Sequence, residues 1–377
     1  MRGSRDLIPP MGWEYSSGMS SKPDAIIVGA GPAGSTAARH LAERGARVVL
    51  FDRARFPRDK LCGGGLTPKA IALVPPAAQL TVQRWVERVE IRSRIGAFEM
   101  AEAHVRVGMV DRRDFDLKLV EAASAAGVDV REETMVVGAV SRNDGVEITT
   151  ASGDREQGAA LVVSDGEPSR LARALGLASL PGRRLLALET DTPLAPSIGG
   201  ERAILSCTVP GGYAWYFPKG DHASVGVGTA RQSRIAHLRA DYEKFTESLG
   251  LPIGEGRVQG HWIPVGLRRG PLVAGRAVLA GDAAGAADPL FAEGIAYAIA
   301  TGVIAARSIG ALLEGRAPDL SGYERAVRTT LGPRMRELSA AVRFADLSVS
   351  LPLAALRASG RFRRYSVHRV NDFGGPV

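Results

Sequence analysis

Apolar positions follow two rhythms along the chain. Short unbroken apolar runs, Asp24-Ala-Ile-Ile-Val-Gly29, Arg47-Val-Val-Leu-Phe51, Leu161-Val-Val-Ser and Ala277-Val-Leu-Ala-Gly281, predict buried parallel strands. Between the first two, Ser35 to Arg44 has helical character and stops at Gly45, a residue suited to the position just after a helix. Phe115 to Ala126 predicts a helix and Val128-Asp-Val-Arg a strand. Met135 to Val140 and Val146 to Thr150 predict a hairpin around Asn143-Asp144-Gly145. Alternating positions from Val82 to Val110, and runs at 185–189, 203–208, 213–218 and 224–228, predict half-buried strands, interrupted by a helix at 236–249. Residues 53–80 carry Pro57, Gly63-Gly64-Gly65, Pro68 and Pro75-Pro76 and read as irregular. Long helices are expected at 292–314 and 321–347.

These elements predict an α/β fold: a Rossmann-like dinucleotide-binding domain with an inserted β-rich substrate domain. The binding domain is expected at 23–80, 105–180 and 271–320, and the substrate domain at 81–104 and 181–270. Residues 321–377 read as a C-terminal helix and basic tail, and 1–22 as a flexible leader with Met19 just before the first strand.

Composition narrows the function. With 45% hydrophobic and 23% charged residues the chain has enough apolar side chains for a core. Its two cysteines, Cys62 and Cys207, exclude a disulfide scaffold and fit a reduced, cytoplasmic compartment. No uninterrupted apolar run reaches the ~18 residues of a bilayer span; the longest candidate, Phe291 to Ala306, carries Glu293, Gly294 and Gly302. The formal net charge is +8, with only six lysines among 48 basic residues. A basic surface suits an anionic substrate or the acidic inner face of a membrane, with peripheral contact there. No basic stripe with interleaved aromatics points to nucleic acid. The six histidines show no metal spacing, so no metal is expected, and no Gly-x-Ser-x-Gly elbow supports hydrolysis.

Two glycine motifs carry the chemistry. Gly29-x-Gly31-x-x-Gly34 follows a strand and opens a helix, and Asp52-Arg53 stands at the end of the next strand. Gly29 permits the tight turn, Gly31 lets the backbone approach a pyrophosphate, Gly34 lets helix and strand pack closely, and Asp52 accepts from a ribose hydroxyl. Late in the chain, Val278-Leu-Ala-Gly281-Asp282-Ala-Ala-Gly285 puts a carboxylate and a helix start where a flavin's ribityl chain and ring would lie. The plain alternative is that Asp282 caps a helix.

With both motifs in place the chain resembles the glutathione-reductase-like flavoprotein superfamily that includes p-hydroxybenzoate hydroxylase, which implies FAD. Arg112 with Phe115-Asp116 is similar to its arginine–acid helix start, where the arginine reaches FAD; Val136 stands where the family backbone meets adenine. Leu161-Val-Val-Ser-Asp165-Gly166 is similar to its Asp-Gly motif, and Gly294-Ile295 to the loop that contacts the flavin ring. Two stretches are more specific. Pro57-Arg-Asp-Lys60-Leu-Cys62-Gly63-Gly64-Gly65-Leu resembles the cysteine–glycine segment of geranylgeranyl reductases. Tyr213-Ala-Trp215-Tyr-Phe217-Pro218, with Gly226-Val-Gly228 after it, resembles their YxWxFP…GxG signature. Two positions depart: Ala292 stands where such reductases usually have glycine, and Asp52 where glutamate is commoner.

The resemblance implies reduction of isoprenoid C=C bonds in a geranylgeranyl lipid, chlorin ester or prenylquinone tail. NAD(P)H or another donor reduces FAD; a hydride reaches one alkene carbon and a proton the other. Cys62 and Tyr213 are the candidates for the proton path, and Tyr213, Trp215 and Phe217, two apart and so on one face of a strand, for a prenyl channel. The plain readings are a small buried hydrophobe at Cys62 and ordinary core aromatics. Cys207, in an apolar run, reads as core. Two rivals remain open: an FAD-dependent monooxygenase or halogenase of the same superfamily, and a non-catalytic flavin-binding interaction module. A halogenase needs a lysine between flavin and substrate, and the nearest, Lys60, belongs to the cysteine–glycine segment.

Overall fold

The computed structural model describes residues 22–94, 96–100, 106–177, 183–252 and 257–347, together with Phe373 and Val377. The expected leader, apart from Lys22, and the basic stretch Arg357 to Arg369 lie outside the described residues.

Strands from the first half of the chain and from residues 273–279 make one six-stranded sheet. Its order is Val273–Ala274, Ala277–Leu279, Ala160–Val163, Ala25–Val28, Val48–Phe51 and Asp129–Arg131, parallel except for the first pair. Ala25–Val28, Val48–Phe51 and Ala160–Val163 are buried at every position, which is why they read as continuous rather than alternating. The hairpin expected around Gly145 forms, with Val136–Ser141 pairing antiparallel to Val146–Thr150.

Helix Pro32–Ala42 leaves the first strand and packs against helix Ile295–Leu313. The two backbones meet at Gly302: a Cβ there would stand 2.4 Å from the Ala33 carbonyl oxygen. The later helix is, by length and composition, apolar enough to cross a bilayer, although Thr301, Arg307 and Ser308 interrupt its apolar run. It is nonetheless 83% buried inside the protein over that window, as a core helix is.

The alternating runs make a seven-stranded sheet, in the order Gln259–Val265, Arg183–Pro193, His222–Thr229, Gly212–Pro218, Arg202–Ser206, Arg88–Ser93 and Gly96–Met100. Helix Leu238–Ser248 covers one face through Leu238, Tyr242 and Phe245. The opposite face looks toward the cofactor motifs.

Three expectations change. The helix at 321–347 is two, Ser321–Thr330 and Gly332–Leu347, broken where Gly332-Pro333 follows Leu331. Residues 53–80 contain short helices at Pro68–Ile71 and Pro76–Gln79, each begun by a proline whose missing N–H costs nothing in a first turn. The strand Gln259–Val265 was not foreseen, because Pro264 and the preceding Gly260 blur its alternation.

Candidate active site

The first glycine motif is bent as its residues require. Gly29 has φ +97°, and a Cβ there would stand 2.2 Å from the Ser164 carbonyl oxygen. A Cβ at Gly34 would stand 1.9 Å from the Gly29 oxygen, so helix and strand touch there. Gly31 differs: the nearest atom to its Cβ direction is an Arg58 guanidinium nitrogen at 3.7 Å, leaving open space above the helix start. That start has no side-chain cap. Asp52, buried at the end of its strand, accepts from the Ala30 amide at 2.7 Å and the Ala54 amide at 2.8 Å. The short side chain stays on its own backbone and so locks the glycine turn to the second strand.

A cavity of about 1280 Å³ runs from this loop to the seven-stranded sheet. Asp52, Arg53, Arg112, Val136, Asp165, Asp282, Gly294 and Ile295 all line it, as do Cys62, Gly63, Gly65, Tyr213 and Trp215. Residues distant in sequence thus meet in one space.

The aromatic row lies on the sheet face as the period-two spacing predicts. Trp215 and Phe217 stack with centroids 6.3 Å apart, and Tyr213 tilts against Trp215 at 5.7 Å. Gly226 and Gly228 serve these and other side chains rather than a ligand. A Cβ at Gly226 would lie 2.2 Å from the Trp215 ring, and one at Gly228 2.4 Å from Leu185. Beyond Trp215 the cavity wall continues through Val89, Ile91, Met100, Ala203 and Leu205 as an apolar strip.

The cysteine–glycine segment packs onto this row. A Cβ at Gly63 would stand 2.6 Å from the Phe217 ring, and Gly64, at φ +75°, would put one 2.0 Å from the Val110 oxygen. The protein itself therefore demands these glycines. Cys62 is half-buried on the cavity wall, where its sulfur accepts from the Gly64 amide at 3.5 Å. Arg112 grips Asp116 through two bonds of 2.8 Å, and Arg58 approaches the same carboxylate at 3.1 Å. Cys207, one residue beyond its strand, packs half-buried against the apolar cluster of Val86, Val89, Ile91, Met109 and Ala203 and also lines the cavity, with its thiol pushed up to about 11 by burial.

The loop from Asp288 to Gly294 closes the site. The buried Asp288 carboxylate accepts from the amides of Leu290 at 2.8 Å and Phe291 at 2.7 Å. Glu293 is fixed by Lys69 at 2.7 Å. The turn sets Ala292 at φ +53°, which gives the glycine preference at this position a physical reason. The Tyr213 hydroxyl donates to the Phe291 carbonyl and braces the loop against the sheet.

Comparison with known proteins places this geometry. Residues 22–194 match the family described as FAD binding domain. The chain is 32% identical over 320 residues to a menaquinone reductase from Mycolicibacterium smegmatis, covering 76% of each chain. It is 32% identical to a digeranylgeranylglycerophospholipid reductase from Methanocella arvoryzae, covering 83% of this chain and 85% of the other. The chain belongs to the geranylgeranyl reductase family of FAD-dependent oxidoreductases. A geranylgeranyl bacteriochlorophyll reductase-like protein from Thermoplasma acidophilum shares the fold, with TM-score 0.70 and 24% identity over 81% of this chain and 83% of that one.

As in other geranylgeranyl reductase family members, the cofactor is FAD, and the residues present fit it. The open space at Gly31 would take a pyrophosphate, which a side chain there would displace. The Asp165 Oδ1 is buried with no hydrogen-bond partner, while Oδ2 accepts from the Arg170 and Leu171 amides; burial pushes this carboxyl up. Among the described residues no group hydrogen-bonds the Asp282 carboxylate, which lines the cavity.

Sequence reading passed over two titratable residues here. Glu189 lies on the cavity wall within the apolar face of Arg183–Pro193, 3% exposed. Burial pushes it up to about 7 against the pull of Lys219. His261, on the adjacent strand, is pushed down to about 4 by burial, with Lys60 and Arg112 adding to the effect, and its Nδ1 is buried without a partner. The signal was available: a carboxylate in register with Leu185 and Ala187 breaks an otherwise apolar stripe.

Proposed function

We propose that the protein reduces C=C bonds of an isoprenoid chain, carried on a geranylgeranyl lipid, a chlorin ester or a prenylquinone, with NAD(P)H or another donor reducing its FAD. The observation that carries this reading is the apolar strip Val89, Ile91, Met100, Ala203 and Leu205, continuous with Trp215 and in the same cavity as the dinucleotide cradle. A long hydrocarbon fits such a strip, and little on it would hold a small polar aromatic.

When bound, FAD supplies the two electrons and the hydride that one alkene carbon receives. The chain's residues do the rest. Gly29, Gly31 and Gly34 would hold the pyrophosphate, with Asp52 and Arg53 toward the ribose and Val136 toward adenine. Arg112, Asp165, Asp282, Gly294 and Ile295 would surround the flavin end, with Gly63 and Gly65 shaping the wall beside Cys62. Tyr213, Trp215 and Phe217 seat the alkene at near-attack distance and exclude water. The Tyr213 proton is already committed to the Phe291 carbonyl, and burial pushes its phenol up, so it acts as a brace rather than an acid. A lipid substrate brings the protein to a membrane, and the +8 net charge favours the anionic inner face.

The test is anaerobic. Reduced enzyme mixed with geranylgeranyl lipid should reoxidise its flavin, and the product should gain two hydrogens for each bond saturated. A flavin reoxidised only by air, with an oxygenated or halogenated product, would replace this reading with the monooxygenase or halogenase one. A flavin that no prenyl lipid reoxidises would leave a binding module.

A further inference from the structure

Reduction of an isolated alkene needs a proton as well as a hydride, and the sheet face places one carboxyl group to give it. Glu189 sits in a cross-strand row: it pairs with Gly226, and Gly226 pairs with Trp215. With no side chain at Gly226, the Trp215 ring lies across that position toward Glu189. Glu189 therefore borders the aromatic row at the edge facing the strand Gln259–Val265, on the cavity wall. Among the described residues none hydrogen-bonds its carboxyl group, unlike the neighbouring acids. Asp191 faces Lys219, Asp116 is held by Arg112, and Asp288 is held by amides.

We propose that Glu189 is the acid that gives the proton to the second alkene carbon. This rests on the isoprenoid-reduction reading above. In the step, one alkene carbon gains a hydride with two electrons from the reduced cofactor. The other carbon gains the Glu189 proton through the π pair, and the C=C π bond breaks as two C–H bonds form. The cofactor is left oxidised and Glu189 as a carboxylate, which takes its next proton from water.

The groups facing Glu189 come from every side. Lys219 and Asp191 lie toward one end, Lys60 and Arg112 across the cavity, and His261 and Gln259 on the adjoining strand. Burial dominates this set and keeps Glu189 protonated up to about pH 7. His261 is neutral above about pH 4 and adds no charge that would strip the proton. The cations stabilise the carboxylate formed afterwards. Cys62 differs in that its sulfur accepts from the Gly64 amide, and Tyr213 in donating to the Phe291 carbonyl.

The variants are Glu189→Gln, which keeps shape and loses the acid, and Glu189→Asp, which keeps the acid on a shorter arm. Infrared difference spectra of the cofactor-free protein across a pH titration should show a protonated carboxyl C=O band that fades near neutral pH. The band should be absent in Glu189→Gln. In anaerobic single turnover with a geranylgeranyl lipid, Glu189→Gln should reoxidise about 100-fold more slowly, in the range general acids contribute. Donor-driven flavin reduction should stay at the wild-type rate, and Glu189→Asp should recover part of the loss. Wild-type turnover should fall as pH rises through about 7, and the residual rate of Glu189→Gln should not. A variant that turns over within threefold of wild type, or a wild type lacking the infrared band, overturns the assignment of Glu189 alone. A wild type that reduces no prenyl lipid overturns the substrate reading and this step with it, and shows so without any variant.

Discussion

The Trp215 indole occupies the space a side chain at position 226 would need, with a Cβ built on Gly226 falling 2.2 Å from its ring. The ring is also tied by its Nε1–H to the Ser224 hydroxyl at 3.1 Å. Ring and glycine are therefore one unit spread over two neighbouring strands.

Gly226→Ala should accordingly destabilise the protein by about 1–3 kcal/mol, the range for overpacking. In a Trp215→Ala background the same change should cost much less, because its obstacle is gone. Thermal unfolding of the two single variants and the double variant measures the coupling. Additive losses would show that the ring moves freely.

Trp215→Ala alone separates a channel from a core. If the ring seats substrate, prenyl turnover should drop while FAD content stays near wild type. If it is only packing, stability should fall by ~3–5 kcal/mol and FAD occupancy and turnover should fall together.

The glycines of the first motif should respond differently from one another. Gly31→Val should leave the cofactor-free protein folded with an unfolding temperature near wild type and abolish FAD binding, since its side chain points into the open cradle. Gly34→Ala should instead lower the unfolding temperature of the cofactor-free protein, because its Cβ meets the Gly29 oxygen. Titrating FAD into each variant and melting each without it distinguishes the two effects.

Ala292→Gly should stabilise. An L-residue in the left-handed region costs about 1–2 kcal/mol, and the added freedom of glycine in the unfolded chain takes back roughly 0.4–1 kcal/mol. A gain of about 0.5–1 kcal/mol in denaturant unfolding is expected. A loss would mean that the methyl group makes a contact worth more than its strain.

Glu189 and His261 should tilt the pH dependence of stability in opposite directions. Glu189 is raised in the folded state, so its contribution is full below about pH 4.5 and is lost as pH rises through about 7. His261 is depressed, so its contribution is full above about pH 6.5 and is lost as pH falls through about 4. Relative to wild type, Glu189→Gln should gain on the order of 3 kcal/mol as pH rises from 4.5 to 7. His261→Asn should gain, relative to wild type, as pH falls over much the same interval. Urea unfolding at several pH values reads both slopes, and parallel curves for variant and wild type would contradict the burial of the altered group.

Much of this site was legible because its chemistry sits where backbone geometry is extreme. Gly29 and Gly34 are demanded by atoms under 2.5 Å from a would-be Cβ, and such demands leave glycines at fixed spacing. Period-two spacing likewise put Tyr213, Trp215 and Phe217 on one face. Glu189 and His261 were not legible as a pair. Their strands are adjacent in the sheet but about 70 residues apart in the chain, and pairing of such strands leaves no local pattern. The packing of Gly63 on Phe217 was not legible for a similar reason: a glycine that admits a cofactor and one that admits an aromatic ring are the same letter until the partner is placed.

The clasp between helices Pro32–Ala42 and Ile295–Leu313 bears on synthesis as well as on shape. The pyrophosphate loop leaves the ribosome early, but Ala277–Leu279, the loop that follows it and the helix that Gly302 presses onto Ala33 come hundreds of residues later. Until then strand Ala160–Val163 lacks its outer neighbour and the first helix lacks its cover. FAD capture thus waits for the helix Ile295–Leu313, and a nascent polypeptide stalled before Gly302 would expose a half-made cradle with nothing to close it.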